Sequence, residues 1–277
     1  KGTRLFPSTE ATPKPLLPLY DKPLLYYALS KLMSAGIKEV LFISRKQDMT
    51  SFKKLFGTGN QLGMRFKYTF QAKQKGIPDA INVANKFIAQ QPFVLALADN
   101  LFIGNSFQKT LKQVQLIKSG AAVLAVKTKY PSKSAVIDLG KKGKIKSIIE
   151  KPKKPKSNLT IPGLYVYDSE SKTVVRKLKP SKRGELEIVD VHLDYLEKQQ
   201  LKVFSLKKDI KWFDTGDAEE MLEASNYVQR YQKNKKTLMG SIELVALKNG
   251  WISKKRFNLI VSKYPNSQYK KNLQKFC

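Results

Sequence analysis

Between Lys22 and Lys127 the chain passes again and again from a stretch of helical period to a short apolar run, and this alternation leaves few ways to fold. "KPLLYYALSKLMSAG" carries apolar residues at helical spacing and stops at Gly36, a residue suited to a helix C-terminus; "IKEVLFIS" then reads as a short buried strand. The pattern repeats with a helix-like "DMTSFKKLFG", a strand "MRFKYTFQ", a helix "IPDAINVANKFI" and a strongly apolar strand "FVLALADN", and "GAAVLAVKT" continues the sheet. Strands alternating with helices of about 10 to 15 residues predict an α/β fold with a Rossmann-like, mixed, mainly parallel sheet covered by helices on both faces. Such sheets place ligands beyond the carboxyl ends of their strands.

After Lys127 the period shortens. "SAVIDL", the turn "GKKGK" and "IKSIIEKP" predict a β-hairpin, and "LTIPGLYVYD" one further strand. From "DAEEMLEASNYVQRYQKNKK" onward the signal is helical, and the last forty residues predict two or three short helices packed as a terminal lobe. The expected organisation is one domain over 1–235, in two parts at about 1–128 and about 129–235, followed by a helical region at 236–277.

The chain has 277 residues, 42% hydrophobic and 10% aromatic, enough for a sizeable core. No apolar run approaches the roughly 18 residues of a membrane span, and the start has no signal-peptide pattern. Cys277 is the one cysteine, so an intrachain disulfide is excluded and a reducing cytoplasm is the simplest setting. The charge is the odd feature: 52 Lys+Arg against 22 Asp+Glu give +30. A polyanionic partner would account for it, but the cations are nearly all lysine and are spread through "KKGKIK", "EKPKKPKS", "SLKKDIK", "QKNKK" and "SKKRF". Scattered lysine favours solvated faces over a nucleic-acid surface, which concentrates charge and uses the guanidinium fork.

Two features point to chemistry. At the start, "KGTRLFPSTEATPK" joins Gly2, Thr3, Arg4 and Lys14 in a loop able to hold phosphate oxygens, or equally a solvated arm. Asp99 in "LALADN" and Asp214 in "KWFDTGD" both follow strand-like runs, where a carboxylate can reach a divalent metal at the active face. Alone, either would serve as well as a helix N-cap or turn residue.

"KGTRLFPSTEATPKPLLPLYDKPLLYYALSKLMSAGI", with "ALADNLFIG", "EKPKKPKSN", "GLYVYD", "KPSKRGELEIVDV" and "WFDTGDAEEMLEASNYV", resembles the sugar-nucleotide pyrophosphorylase family in collinear order over essentially the whole chain, and within it the bacterial glucose-1-phosphate thymidylyltransferases. The resemblance implies dTTP and glucose 1-phosphate as substrates, with UTP as the alternative nucleotide, and Mg²⁺ as cofactor. It implies in-line attack of the sugar phosphate on the α-phosphorus with loss of pyrophosphate, where the catalytic task is to align and neutralise two anions. By matching position, Arg4 and Lys14 are the catalytic cations, and Gly2, Thr3, Arg4, Gln71, Gly76 and Asp99 contact the nucleotide. Asp99 and Asp214 hold the metal. Ala135, Glu150, Lys151 and Arg183 bind the sugar phosphate. A homotetramer with feedback by a downstream dTDP-sugar is implied as well; the contrary expectation is a catalytically weak relative binding polyanions through its lysines.

The pattern departs from the family at Ala98, where Gly is usual before the metal-binding Asp, at Ser134–Ala135–Val136, which replaces Tyr-Gly-Val, and at Pro162, which removes an N–H near the sugar. These bear on substrate preference and turnover more than on fold. The family also has a strand and glycines ahead of "KGTRL". In mid-sheet their loss would leave unpaired backbone groups and a cavity, so the expectation is a chain whose start is incomplete or processed.

Overall fold

The computed structural model describes residues 3–73 and 75–277. A small antiparallel hairpin, β1 (Pro18–Leu19) and β2 (Lys22–Pro23), leads into α1 (Leu24–Ser34). Pro23 supplies the fixed φ that suits a helix start, and the helix ends at Ala35 and Gly36, where φ is +98°. β3 (Glu39–Ser44) and β4 (Arg65–Phe70) flank α2 (Met49–Phe56) and pair in parallel, the arrangement expected of a strand–helix–strand unit. The helical stretch predicted after them breaks at Ala84 into α3 (Ile77–Val83) and α4 (Asn85–Ile88).

β5 (Phe93–Ala96) and β6 (Asn100–Ile103) enclose a turn bearing Asp99, and α5 (Phe107–Val114) and β7 (Ala121–Lys127) follow. The predicted hairpin is present as β8 (Ala135–Leu139) and β9 (Ile145–Glu150). The single strand expected at 159–168 is instead β10 (Leu159–Thr160) and β11 (Leu164–Tyr167), interrupted at Ile161–Pro162–Gly163. Pro162 has no N–H to give a ladder, and a Cβ on Gly163 would stand 2.6 Å from Leu97 Cδ1, so the chain must turn here. α6 (Ser171–Lys177), α7 (Ile188–Glu197), β12 (Leu201–Ser205) and β13 (Lys211–Asp214) complete the α/β part. Then come α8 (Ala218–Lys235) and three helices, α9 (Ile242–Lys248), α10 (Lys254–Ser262) and α11 (Gln268–Gln274). Each of the last three is capped by a serine, whose Oγ accepts a backbone N–H: Ser241 from Leu244, Ser253 from Arg256, Ser267 from Lys270.

The central sheet is mixed, ordered β5-β11-β7-β10-β8-β9 with β12 parallel to β7. Parallel pairing is confined to β12/β7 and β3/β4 among the described ladders. β11 returns antiparallel between β5 and β7, a long-range insertion that no local period announces. β6 and β13 form a separate antiparallel pair. Apolar side chains cover both faces of the central sheet, Val123 and Tyr165 in one core and Leu124 and Val166 in another, while Met33, Phe42, Phe56, Phe66, Phe257 and Leu273 join α1, β3, β4, α2 and the last three helices in a third. Fully burying such a side chain is worth about 1.5–3 kcal/mol, so the terminal helices are held by the same core as the strands they cover. Beneath them Glu243 is 1% exposed and accepts hydrogen bonds from Tyr264 and Tyr269, both at 2.6 Å.

β3 and β5 have no ladder on their remaining edges among the described residues. A cavity of about 580 Å³ adjoins both strands, lined by Val40, Leu41, Ile43, Val94 and Leu95, with Leu29 of α1 and Ile81 of α3 also on its wall.

Candidate functional site

The turn between β5 and β6 and the end of β13 bring two acids together. Asp214 pairs in register with Asn100, the neighbour of Asp99, and Thr215 donates to the Asp99 carbonyl through both its N–H (3.0 Å) and its Oγ1 (2.9 Å). Burial pushes the Asp214 carboxyl up to about 6, Asp99 adds to the rise, and Lys14 and Arg4 work against it. Lys14 Nζ donates to Asp99 Oδ2 at 2.6 Å. The Arg4 guanidinium lies against Gly216, where a Cβ would meet it at 3.0 Å. Trp212 donates from Nε1 to Asn100 Oδ1 at 2.7 Å, and Asn100 donates from Nδ2 to Asp99 Oδ1 at 3.0 Å, so the acid is steadied from behind.

Asp99 and the buried Asp214, brought to neighbouring strand ends, offer carboxylate oxygens of the kind that suit a divalent metal. Among the described residues no three His, Cys, Asp or Glu side chains form a cage, so such an ion would need further oxygens from a substrate.

Next to this pair lies a cavity of about 400 Å³ whose lining includes Lys14, Asp99, Ala98, Gln71 and Arg45. Gln71 donates from Nε2 to the Gly76 carbonyl (3.3 Å) and to Asp79 (3.0 Å), which leaves its Oε1 as an acceptor. Gly76 itself bridges to Leu186: its φ is +98°, and a Cβ would stand 2.1 Å from the Leu186 carbonyl oxygen. Packing therefore demands glycine there, beside the base approach the resemblance implies. Thr3 lies in the short 3-10 turn Thr3–Leu5 with Arg4, while Gly2 falls outside the described residues.

A second cluster gathers the remaining predicted residues. Ala135 is paired across the hairpin with Glu150, and Lys151 N–H donates to the Ser134 carbonyl at 3.2 Å. Glu150 Oε1 faces Lys151 Nζ at 3.6 Å and Arg183 at 3.7 Å. Burial keeps the Glu150 carboxyl above its ordinary value despite Lys151. Arg183 is anchored on Glu187 at 2.7 Å, and Glu187 also accepts from Ser181. The buried Tyr165 connects the two clusters electrostatically: burial raises its phenol most, and Glu150, Asp99 and Asp214 all add to the rise.

Several supporting residues have no sequence signal of their own. Lys133 reaches Asp217 (3.1 Å) and Glu220 (2.8 Å), tying the segment before Ala135 to the start of α8. Glu220 Oε2 also takes the Gly216 N–H at 3.0 Å, and Asp217 caps Glu220 N–H. Only the D-x-x-E spacing, which resembles a capping box, hinted at these last two.

Comparison with known proteins identifies the family. A family model described as nucleotidyl transferase matches residues 1–231. A glucose-1-phosphate thymidylyltransferase of Neisseria meningitidis is 40% identical over 268 residues, covering 97% of this chain and 93% of the relative. One from Mycobacterium tuberculosis is 38% identical over 251 residues, or 91% and 87%. Among solved structures, a Bacillus anthracis protein in complex with a sucrose superposes with a TM-score of 0.76 at 33% identity, covering 82% of this chain and 90% of that one. A UDP-glucose pyrophosphorylase complexed with UDP-glucose gives 0.73 at 27% identity, covering 84% and 95%.

Proposed function

This chain belongs to the nucleotidyl transferase family, and from that premise we propose that it is a glucose-1-phosphate thymidylyltransferase, forming dTDP-glucose and pyrophosphate from dTTP and glucose 1-phosphate. The observation that carries the reading is the pairing of two clusters across Tyr165: cations and acids at Asp99 and Asp214 for a triphosphate, and Glu150, Lys151 and Arg183 for a sugar phosphate.

Lys151 and Arg183 bind the phosphate of glucose 1-phosphate, one as a point charge and one as a fork already aligned by Glu187. Glu150 accepts hydrogen bonds from sugar hydroxyls. A phosphate oxygen of the sugar attacks the α-phosphorus, a new P–O bond forms, and the bond to the β-phosphate oxygen breaks opposite it. Arg4, against Gly216, stabilises the departing pyrophosphate, and Lys14 offsets charge at the α-phosphate. Thr3 and Gly2 supply further donors at the phosphates, while Gln71 and Gly76 face the base. Asp99 and Asp214 would hold Mg²⁺, which when bound neutralises phosphate charge. The reading extends to a homotetramer and a cytoplasmic setting. No helix among the described residues is long and apolar enough to cross a membrane.

The test is pyrophosphate release with dTTP and glucose 1-phosphate in the full natural chain. Asp99→Asn and Asp214→Asn should each lower the metal-dependent rate by about 100-fold or more, the scale of losing a transition-state electrostatic contact. A wild-type rate in either variant removes that residue from the metal site. Turnover with UTP and none with dTTP would move the reading to a uridylyltransferase.

A further inference from the structure

We propose that Arg45 is a base-reading residue of this same site, donating to the polar edge of the pyrimidine beside Gln71; the inference rests on the nucleotide reading above. Arg45 follows Ser44, the last residue of β3, and its guanidinium is locked by Asp48: Nε donates to Oδ2 at 2.8 Å and Nη2 to Oδ1 at 2.9 Å. Asp48 is 5% exposed and also accepts from Ser44 Oγ at 3.1 Å. The fork is thus fixed at low entropic cost, and Nη1 is left to donate into the cavity that Arg45 shares with Gln71, Lys14 and Asp99.

Position decides what it donates to. The Gln71 N–H bonds the Ser44 carbonyl at 3.0 Å, so Gln71 and Arg45 leave adjacent strand ends side by side, while Lys14 sits on Asp99. With Gln71 Nε2 engaged by Gly76 and Asp79, the pair presents an acceptor, Oε1, beside a donor, Nη1. Thymine and uracil offer the complement, an N3–H flanked by carbonyl oxygens, and cytosine offers an amino donor beside an unprotonated N3, so the pair reads the polar edge of a pyrimidine base.

The experiment measures binding of dTTP, dCTP and inorganic tripolyphosphate by calorimetry, with thermal unfolding as a folding check, in the wild type, Arg45→Ala and Arg45→Lys. Lysine keeps the charge beside Asp48 without the fork, so it decides the matter should the alanine variant not fold. The expected result is a roughly tenfold weaker affinity for dTTP and for dCTP in both variants, with unchanged tripolyphosphate affinity. Equal weakening of dTTP and tripolyphosphate, or no change in either, overturns the proposal while leaving the enzyme reading intact. A wild type that binds no dTTP sinks both.

Discussion

His192 is wholly buried between Tyr165 and Tyr167, with Nδ1 at 3.1 Å from the Tyr167 hydroxyl and no hydrogen-bond partner for Nε2 among the described residues. Burial lowers its pKa from 6.5 to about 3, so the folded chain keeps the ring neutral where the unfolded chain protonates it. Stability is therefore undiminished above pH 6.5 and is lost progressively as pH falls toward 3, because unfolding takes up one more proton in that window. Melting curves between about pH 7 and 4 should fall more steeply for the wild type than for His192→Gln; parallel curves would refute the assignment. At this scale the sequence was legible where a strand-like run ends in an acid: the ends bearing Asp99 and Asp214 do lie side by side, whereas Glu150 and Arg183 were picked out by resemblance alone. It was silent where the partner is remote: nothing near Lys133 announces Asp217 and Glu220, 84 and 87 positions away.

Helices were readable because their signals are local: the apolar spacing of "KPLLYYALSKLMSAG" for α1 and Gly36 after it. The β8–β9 hairpin was readable for the same reason. The pairing of β6 with β13 and the return of β11 between β5 and β7 were not, since both join segments far apart in sequence and depend on which face each strand buries. The edge of the central sheet carries a measurable consequence. Backbone amides without a ladder partner open at lower free energy than those locked on two sides, so hydrogen exchange should be faster in β9, whose one ladder partner among the described residues is β8, than in β7, which is paired along both edges. Equal protection in the two strands would mean that the outer edge of β9 is covered in solution.

Over the whole molecule, +30 of formal charge makes a strongly cationic surface. If scattered lysine only solvates faces, retention on DNA should appear at low salt and vanish by about 0.15 M, while dTTP binding persists; DNA retention that survives there would instead support the polyanion-binding alternative. Repulsion between like-charged copies makes assembly salt-dependent in the same range. The molecule also carries its own optical labels. Its two tryptophans lie in different neighbourhoods: Trp212 is two hydrogen bonds from the Asp99 carboxylate, whereas Trp251 packs against Gly63 beneath the terminal helices. Intrinsic fluorescence in Trp251→Phe therefore reports on the acid pair alone, and in Trp212→Phe on the terminal lobe alone. Metal and nucleotide binding should shift the first signal directly, and any response of the second would reveal how far occupancy of the cleft is felt across the shared core.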